Sequence, residues 1–263
     1  MSHPRLTPDP DRMPLKETAQ IGRGVVNILR KPNGPRDRQL LLGAEVTVLS
    51  REDGWAYVQS TADGYCGFVG VASLTKPQEV THKVTAPGSH GYQNANMKSI
   101  ERCALSHGSL LASLGEKDGF INTSHGFVPI QHIAPIDFFE DDPVQVAAQF
   151  VGTPYLWGGN SRWGFDCSGL VQAACTACGI PCGGDTDMQE TDLGELLPDG
   201  TAPQRNDVLF WKGHVALVWD EETLVHANSH DMATAFEPLE EAIARIKKTD
   251  GPVSSHRRLP TPA

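Results

Sequence analysis

The fold and function of this chain are decided by the stretch Phe165-Asp166-Cys167-Ser168-Gly169-Leu170-Val171. The stretch follows a turn-rich segment and continues as an apolar run, which predicts a helix that begins at Cys167. A free thiol has a pKa of about 8.5, and both a helix N-terminus and a nearby imidazole lower it. The stretch therefore predicts a cysteine nucleophile, provided that a histidine from elsewhere in the chain reaches Cys167.

Two histidines further along the chain are the candidates. A cysteine peptidase needs a thiolate, a base that takes and returns the proton, and a third group that orients the base. His214 opens one predicted strand and His226 lies near the end of the next, so an antiparallel hairpin would place the two imidazoles side by side. We predict a triad of Cys167, His214 and His226. The alternative is a buried, inert Cys167 and two histidines with purely structural roles.

Composition and charge exclude several classes of protein. The chain has 263 residues and a formal net charge of -10, which argues against nucleic-acid or anionic-membrane partners. Residues 1–20 are polar and contain no apolar run of the kind that forms a signal-peptide core, and no later run reaches the length of a membrane span. Six cysteines do not resemble a secreted disulfide framework. We therefore expect a cytoplasmic protein.

Residues 20–135 contain a degenerate duplication. Each copy has short alternating strands, such as 45–49 and 55–59, separated by Asp-Gly and Gly turns, and this pattern predicts a small β-barrel. The spacing resembles bacterial SH3-like domains, so we predict a polar tail over 1–19 and two SH3-like barrels over 20–78 and 79–136. The recurring features are Gly43 as Gly108, Asp53-Gly54-Trp55 as Asp118-Gly119-Phe120, and Gly67-Phe68-Val69 as Gly126-Phe127-Val128.

The pattern changes after residue 135. The acidic segment 137–142 is predicted to be a linker, and helical spacing begins at Pro143. Residues 143–263 then mix helical and alternating segments, which predicts an α+β catalytic domain. The predicted helices cover 144–150, 167–178 and 239–247, and the predicted strands cover 208–211, 215–219, 223–227 and 256–259.

Four motifs of this third domain together resemble the NlpC/p60 family of cell-wall peptidases. The resemblance covers roughly 144–259 and implies a papain-like domain, with helices packed on an antiparallel sheet. In that family the cysteine is the nucleophile, the first histidine the base and the second histidine the orienting residue, which implies these roles for Cys167, His214 and His226. The motifs are Thr153-Pro154-Tyr155-Leu156-Trp157-Gly158-Gly159, Asp166-Cys167-Ser168-Gly169-Leu170-Val171-Gln172, Gly213-His214-Val215-Ala216-Leu217 and Leu224-Val225-His226-Ala227.

Two SH3-like domains ahead of such a domain resemble one subgroup of the family. That subgroup cleaves γ-D-glutamyl bonds in murein peptides that carry a free N-terminal L-alanine. The resemblance implies a γ-D-glutamyl-L-diamino acid endopeptidase of the dipeptidyl-peptidase VI type, which acts on L-Ala-γ-D-Glu-diamino acid without a cofactor. Together with the expected cytoplasmic location, this implies a role in recycling cell-wall peptides.

The resemblance also implies substrate-binding residues, each with a structural alternative. Asp166, Ser168 and Tyr155 would surround the substrate amine, and an ammonium group does require a carboxylate at hydrogen-bond distance. Asp166 is otherwise a helix N-cap, and Tyr155 is otherwise an aromatic wedge beside the glycine turn. Tyr65, in the first barrel, is either a cleft-facing residue or part of hairpin packing.

The chain departs from the subgroup at two positions. The subgroup often has a Gly-Glu pair where this chain has Gly43-Ala44-Glu45, so that Ala44 stands in place of an acidic residue. An arginine usually precedes the Asp-Ser/Thr-x-x-Gln motif, and Gly184 stands there in this chain. Both departures predict a specificity that differs from the subgroup's.

Cys175, Cys178 and Cys182 have a spacing that invites a zinc site. The first two fall within the predicted helix and the sequence offers no fourth ligand nearby, so we expect a cysteine-bearing helix face in the core and no metal.

Two other functions stay open. One is a non-catalytic murein-binding protein in which the barrels recognise the ligand. The other is an open-cleft cell-wall hydrolase or amidase on the same Cys-His scaffold, because a fold does not fix the substrate.

Overall fold

The structure is a computed structural model that describes residues 3–261. The chain divides into two compact units, the first ending at Phe138 and the second beginning at Phe139. The predicted linker over 137–142 spans this division, and the first α-helix of the second unit begins at Pro143. The predicted domain limits within the first unit stay predictions.

The first half of the first unit forms a seven-stranded sheet. Its strands are β1 (Glu17–Ile21), β2 (Val25–Leu29), β3 (Arg36–Leu41), β4 (Glu45–Glu52), β5 (Trp55–Ser60), β6 (Cys66–Gly70) and β7 (Leu74–Thr75). They lie in the order β3-β2-β6-β5-β4-β1-β7, and every pair is antiparallel. Alternation along the strands sends one set of apolar side chains inward, and Leu49, Tyr57 and Phe68 pack together in one cluster.

The second half of the first unit forms two smaller antiparallel sheets. Its strands are β8 (His82–Val84), β9 (Gly88–Tyr92), β10 (Glu101–Ser106), β11 (Leu110–Leu111), β12 (Glu116–Lys117), β13 (Phe120–Thr123), β14 (Gly126–Pro129) and β15 (Ile133–Pro135). One sheet has the order β10-β9-β14-β13-β12 and the other the order β11-β8-β15. Leu105, Leu111, Ile121 and Val128 form the centre of this half's apolar core.

The duplication seen in the sequence has a backbone counterpart. The turn between β4 and β5 has two left-handed residues, Asp53 at φ 49° and Gly54 at φ 81°, and the turn before β13 repeats them as Asp118 at φ 50° and Gly119 at φ 78°. A 3₁₀ turn and a short strand then close each copy. Left-handed backbone favours Asp and Gly, which is why Asp-Gly recurs at this place. The assignment of both copies as SH3-like barrels stays a prediction.

The N-terminal segment is more structured than a polar tail. The strand β1 begins at Glu17 and pairs along β4, and its last three residues are buried. Further upstream the Tyr57 hydroxyl accepts a hydrogen bond from the backbone N–H of Asp9 at 3.1 Å. Residues 3–16 therefore run along strands of the same unit, although their polar composition predicts a free tail.

The second unit combines four helices with a six-stranded antiparallel sheet and a small two-stranded one, within the described residues. Its helices are α1 (Pro143–Ala148), α2 (Cys167–Ala177), α3 (Thr186–Asp192) and α4 (Leu239–Ile246). Its strands are β16 (Asn160–Ser161), β17 (Gly164–Phe165), β18 (Glu195–Leu196), β19 (Asp207–Trp211), β20 (His214–Asp220), β21 (Thr223–Asn228), β22 (Ala233–Pro238) and β23 (Ser255–Arg258). The large sheet has the order β18-β23-β19-β20-β21-β22, and β16 pairs with β17.

Helices cover both faces of the large sheet. On one face α1 and α2 pack through residues such as Val146 and Leu170 against Phe210 and Leu217. On the other face α4 packs through Leu239, Ala242 and Ile246 on Trp211, Ala216 and Leu224. The predicted α+β layering is therefore present. Among residues 3–261, no helix is both long and apolar enough to cross a membrane.

Candidate active site

Cys167 is the first residue of α2, as the sequence predicts. Its side chain is 6% exposed, and Sγ lies 3.8 Å from the Thr186 hydroxyl oxygen and 4.0 Å from the backbone oxygen of Gly213. Gly213 directly precedes His214, which opens β20. The thiol therefore lies against the backbone that carries the first candidate histidine, at a helix N-terminus whose dipole favours negative charge.

Asp166 is the N-cap of α2. Its Oδ1 accepts hydrogen bonds from the Gly169 N–H at 2.7 Å and from the Ser168 hydroxyl at 3.2 Å. Its Oδ2 accepts the Gly158 N–H at 2.8 Å. One carboxylate thus caps the helix and ties its first turn to the glycine turn before it.

The glycines around Cys167 permit a close backbone approach. A Cβ added to Gly169 would lie 2.2 Å from the backbone oxygen of Gly159. The Asp166 N–H donates to the same oxygen at 3.2 Å. Only a glycine fits at position 169, because a backbone atom cannot move aside as a flexible side chain would.

The two candidate histidines lie on the same face of adjacent strands. The strands β20 and β21 are antiparallel with Leu217 opposite Val225, and continuing that register sets Ala216 opposite His226 and His214 diagonal to it. The Nε2 of His214 is 2.9 Å from the Nδ1 of His226, and the His226 side chain is fully buried. This is the side-by-side arrangement that the predicted hairpin implies.

The chain of hydrogen bonds continues beyond the two histidines to residues that the sequence did not single out. The Nε2 of His226 is 3.0 Å from Glu237 Oε2, on the neighbouring strand β22. Arg245, on α4, donates to both oxygens of Glu237, through Nε at 2.8 Å and Nη2 at 2.6 Å. The stretch Thr234-Ala235-Phe236-Glu237 is typical of a strand, and a strand here would place Glu237 on the face of His226. Arg245 gives no such signal, because only the folding of α4 onto the sheet brings it to Glu237.

Burial keeps both reacting groups neutral in the absence of substrate. Burial, followed by the adjacent Asp166 charge, raises the pKa of the Cys167 thiol to about 12, while hydrogen bonds from Thr186 and backbone groups act in the opposite direction. Burial is also the largest cause that lowers the pKa of His214 to about 3. The resting site is therefore a thiol and a neutral imidazole.

Thr186 and Gln189 extend from α3 towards the start of α2. The Thr186 hydroxyl lies beside Cys167 Sγ, and the Gln189 Nε2 donates to the backbone oxygens of Ser168 and Gly183, both at 2.9 Å. Both residues belong to the Asp-Ser/Thr-x-x-Gln motif, which sequence analysis considered only for its missing arginine. The motif's two polar side chains pack against the N-terminus of α2.

The two tyrosines have different surroundings. Tyr155 is half-buried beside the catalytic helix, and burial, followed by the nearby Cys167 and Asp166, raises the pKa of its hydroxyl. Tyr65 lies in the first unit, where it is buried and the Arg38 guanidinium stands 5.3 Å from the centre of its ring. Within the first unit, Tyr65 is therefore a packed side chain.

The remaining cysteines of this unit line the core. Cys175 and Cys178 are buried in and just after α2, and Cys182 is half-buried, with its thiol hydrogen-bonded to that of Cys175. Within residues 3–261, no cluster of three or more His, Cys, Asp or Glu side chains has an arrangement that would hold a metal ion.

Comparison with known families and proteins identifies both parts of the chain. Residues 152–248 match the NlpC/P60 family, and residues 28–74 match the bacterial dipeptidyl-peptidase SH3 domain. These two matches cover Cys167, His214 and His226 in the second unit and strands β3 to β6 in the first. The chain therefore carries an NlpC/P60 peptidase-family domain in its second unit and a bacterial dipeptidyl-peptidase SH3 domain ahead of it.

Individual relatives agree with this assignment. The chain is 28% identical over 217 residues to dipeptidyl-peptidase 6 of Lysinibacillus sphaericus, a match that covers 72% of this chain and 79% of that protein. It is 30% identical over 192 residues to γ-D-glutamyl-L-lysine dipeptidyl-peptidase of Bacillus subtilis, covering 66% of this chain and 63% of that protein. The crystal structure of an NlpC/P60 family protein from Bacillus cereus superposes with a TM-score of 0.78 at 20% identity, covering 93% of this chain and all of the other.

Proposed function

We propose that this protein is a cysteine endopeptidase that hydrolyses the γ-D-glutamyl-diamino acid bond of murein peptides with a free N-terminal L-Ala. The observation that carries the proposal is the His214–His226 pair, joined at 2.9 Å and with His226 fully buried, next to a thiol at a helix N-terminus. Relatives that are named dipeptidyl-peptidase 6 and γ-D-glutamyl-L-lysine dipeptidyl-peptidase support the choice of bond.

The reaction begins with the transfer of a proton. His214 takes the proton of the Cys167 thiol, and the sulfur attacks the γ-carbonyl carbon of D-Glu. Backbone N–H groups at the start of α2 receive the oxyanion. The C–N bond then breaks, and His214 returns its proton to the amine of the diamino acid, leaving a thioester. Water, deprotonated by His214, hydrolyses the thioester and releases L-Ala-γ-D-Glu.

The substrate's free amine is the second element of the proposal. Asp166 is the acidic residue next to Cys167, and hydrogen bonds from the Gly158 and Gly169 N–H groups and the Ser168 hydroxyl hold its carboxylate in place. We assign it to the ammonium group of L-Ala, with Ser168 and Tyr155 beside it. A contribution of Tyr65 from the first unit stays a prediction.

The first experiment tests whether Cys167 is the nucleophile. The protein is incubated with L-Ala-γ-D-Glu-meso-diaminopimelate and with the lysine analogue, and products are followed by mass spectrometry. We expect release of L-Ala-γ-D-Glu by the unaltered protein and by the control variant Cys103→Ala, which removes a half-buried thiol of the first unit. Cys167→Ala should fold and release none. Undiminished release by Cys167→Ala would refute the proposal.

The second experiment tests the requirement for a free amine. N-acetylated tripeptide is compared with the free tripeptide at equal concentration. An amine-dependent enzyme cleaves only the free form, whereas equal cleavage of both would indicate an open-cleft hydrolase or amidase. Absence of cleavage together with binding of murein peptide by the unaltered protein would indicate a binding protein.

The proposed substrate is a short peptide rather than a polymer, and this size suggests the cellular role. We propose that the enzyme acts on peptides already released from the cell wall, as recycling requires, rather than on the intact wall. Intact murein sacculi, offered alongside the free tripeptide, should yield no product. Equal rates of release from sacculi would contradict this role.

A further inference from the structure

The triad does not end at His226, because a carboxylate and a guanidinium continue it. The side chains of His214, His226 and Glu237 lie across three adjacent strands, β20, β21 and β22. The register sets Ala235 opposite His226, so Glu237 is the next residue on the same face, diagonal to the imidazole. Arg245 reaches the carboxylate from α4.

We propose that Glu237, held by Arg245, is a positioning residue that fixes the tautomer of both histidines and thereby makes His214 a base. The inference rests on the proposed function for its kinetic test but not for its spectroscopic one.

The donor and acceptor roles along the chain of hydrogen bonds indicate that both histidines are protonated on Nε2. An ionised carboxylate only accepts, so the Nε2 of His226, 3.0 Å from Glu237, must carry the proton. In a neutral His226 the Nδ1 is then an acceptor, so the Nε2 of His214, 2.9 Å away, must donate to it. The Nδ1 of His214 is left with a lone pair, which is what a base for Cys167 requires.

Arg245 keeps Glu237 ionised, and only an ionised carboxylate must accept the proton of His226. Its two bonds to Glu237 are the largest cause that lowers the pKa of that carboxyl, to about 2, so Glu237 is ionised throughout the neutral range. Its fork-like contact also holds the carboxylate in one orientation. Glu237 is only partly buried, but His226 is fully buried, so the imidazole has the carboxylate as its partner rather than water.

The carboxylate has a second effect during the reaction. When His214 takes the thiol proton it becomes a partly buried cation, and Glu237 acts on it through His226. The negative charge of Glu237 raises the pKa of His214 and so favours the protonated form, whereas the positive charge of Arg245 lowers it. The group that sets the resting tautomer therefore also favours the proton transfer.

The test replaces the acceptor with an apolar side chain of similar size. In Glu237→Leu the Nε2 of His226 loses its acceptor, so His226 is expected to move its proton to Nδ1 and donate to His214. His214 then carries its own proton on Nδ1 and cannot act as a base. Loss of general-base catalysis is expected to lower kcat by roughly 10²- to 10⁴-fold, with KM changed by less than about threefold. The control is Glu240→Leu, an exposed glutamate at the start of α4.

A double variant separates positioning from packing. Glu237→Leu leaves Arg245 without its partner, and this alone can destabilise the fold. In Glu237→Leu/Arg245→Met no unpaired charge remains, so thermal stability is expected to recover while kcat stays low. Recovery of kcat together with stability would show that Glu237 acts only through packing and would overturn the inference.

A second measurement, the ring ¹⁵N spectra of the histidines, needs no substrate. Ring ¹⁵N spectra distinguish protonated from unprotonated imidazole nitrogens, and both His214 and His226 are expected to be protonated on Nε2 in the unaltered protein and in Glu240→Leu. Both Glu237 variants are expected to show protonated Nδ1 instead. If the tautomers are unchanged in the double variant, the inference fails. If the tautomers switch but the unaltered protein does not cleave the tripeptide, the inference stands and the proposed function fails.

Discussion

Asp166 combines two roles that a single substitution can separate. As an N-cap it accepts the Gly169 N–H, and through its other oxygen it accepts the Gly158 N–H, at 2.7 and 2.8 Å. As the proposed anchor of the substrate amine it supplies a negative charge. Asn is nearly as good an N-cap as Asp but carries no charge, so Asp166→Asn is the informative change.

The expected cost in stability is modest. Asn keeps the bond from Gly169 but turns its amide towards the Gly158 N–H, so one donor is left without a partner, at a cost of about 1–3 kcal/mol. Asp166→Ala loses the cap as well, which adds about 1 kcal/mol. Chemical denaturation should therefore rank the variants with Asp most stable, Asn next and Ala least.

The expected cost in activity is larger and depends on the substrate. A hydrogen bond to a charged group contributes about 1.5–3 kcal/mol, which corresponds to roughly 10- to 150-fold in kcat/KM. We expect Asp166→Asn to lose that factor on the free tripeptide and to lose nothing further on the N-acetylated tripeptide, whose residual cleavage is measured at high enzyme concentration. The control Asp142→Asn changes another N-cap, that of α1, and should leave kcat/KM unaltered.

An equal loss on both substrates would refute the amine-anchor role. Asp166 would then act only by capping α2 and by tying its first turn to Gly158. A loss confined to the free substrate, with the stability ranking as above, would support both roles together.

The remaining predictions concern the nucleophile and its helix. Because burial raises the pKa of Cys167 to about 12, the thiolate forms only as pH rises, so alkylation of Cys167 by iodoacetamide, followed by peptide mass mapping, should accelerate about tenfold per pH unit through pH 9. A plateau below pH 8 would instead indicate a preformed thiolate paired with His214. Gly169→Ala should lose several kcal/mol of stability in denaturation experiments, and with it the activity, because the new Cβ would lie 2.2 Å from the Gly159 oxygen. The control Gly70→Ala, whose Cβ would meet nothing closer than 3.8 Å, should be nearly neutral, and equal stability of the two variants would contradict the packing argument.

The parts of the site that sequence analysis located are those that depend on local signals. An Asp-Cys-Ser-Gly start followed by an apolar run predicts the N-terminus of α2, and two short apolar runs around a turn predict the hairpin of β20 and β21. The structure has both elements. The two histidines are adjacent because β20 and β21 pair antiparallel, and the two-residue period of a strand puts both side chains on the same face.

The parts that sequence analysis missed depend on contacts between distant elements. Glu237 faces His226 because β22 pairs with β21, and Arg245 reaches Glu237 because α4 packs on that face of the sheet. Neither pairing leaves a periodic signal near Cys167. Thr186 lies in a motif that was recognised, but its position beside the thiol follows from how α3 packs and not from the motif's spacing.

The contacts of the N-terminal segment were not predicted for a different reason. Residues 3–16 are polar and rich in proline, which predicts a polar tail. The segment is held by single hydrogen bonds to strands of the first unit, such as that from Asp9 to Tyr57, and hydrogen bonds of this kind have no hydrophobic periodicity that a sequence would show.

In the proposed reaction Cys167 forms the covalent intermediate and His214 activates it. Acid quenching of the reaction with L-Ala-γ-D-Glu-diaminopimelate within the first turnovers, followed by peptide mass mapping, tests both steps. We expect an L-Ala-γ-D-Glu thioester on the peptide that contains Cys167, and no such adduct in His214→Ala. Turnover without any adduct on Cys167, or an adduct that forms equally fast in His214→Ala, would contradict it.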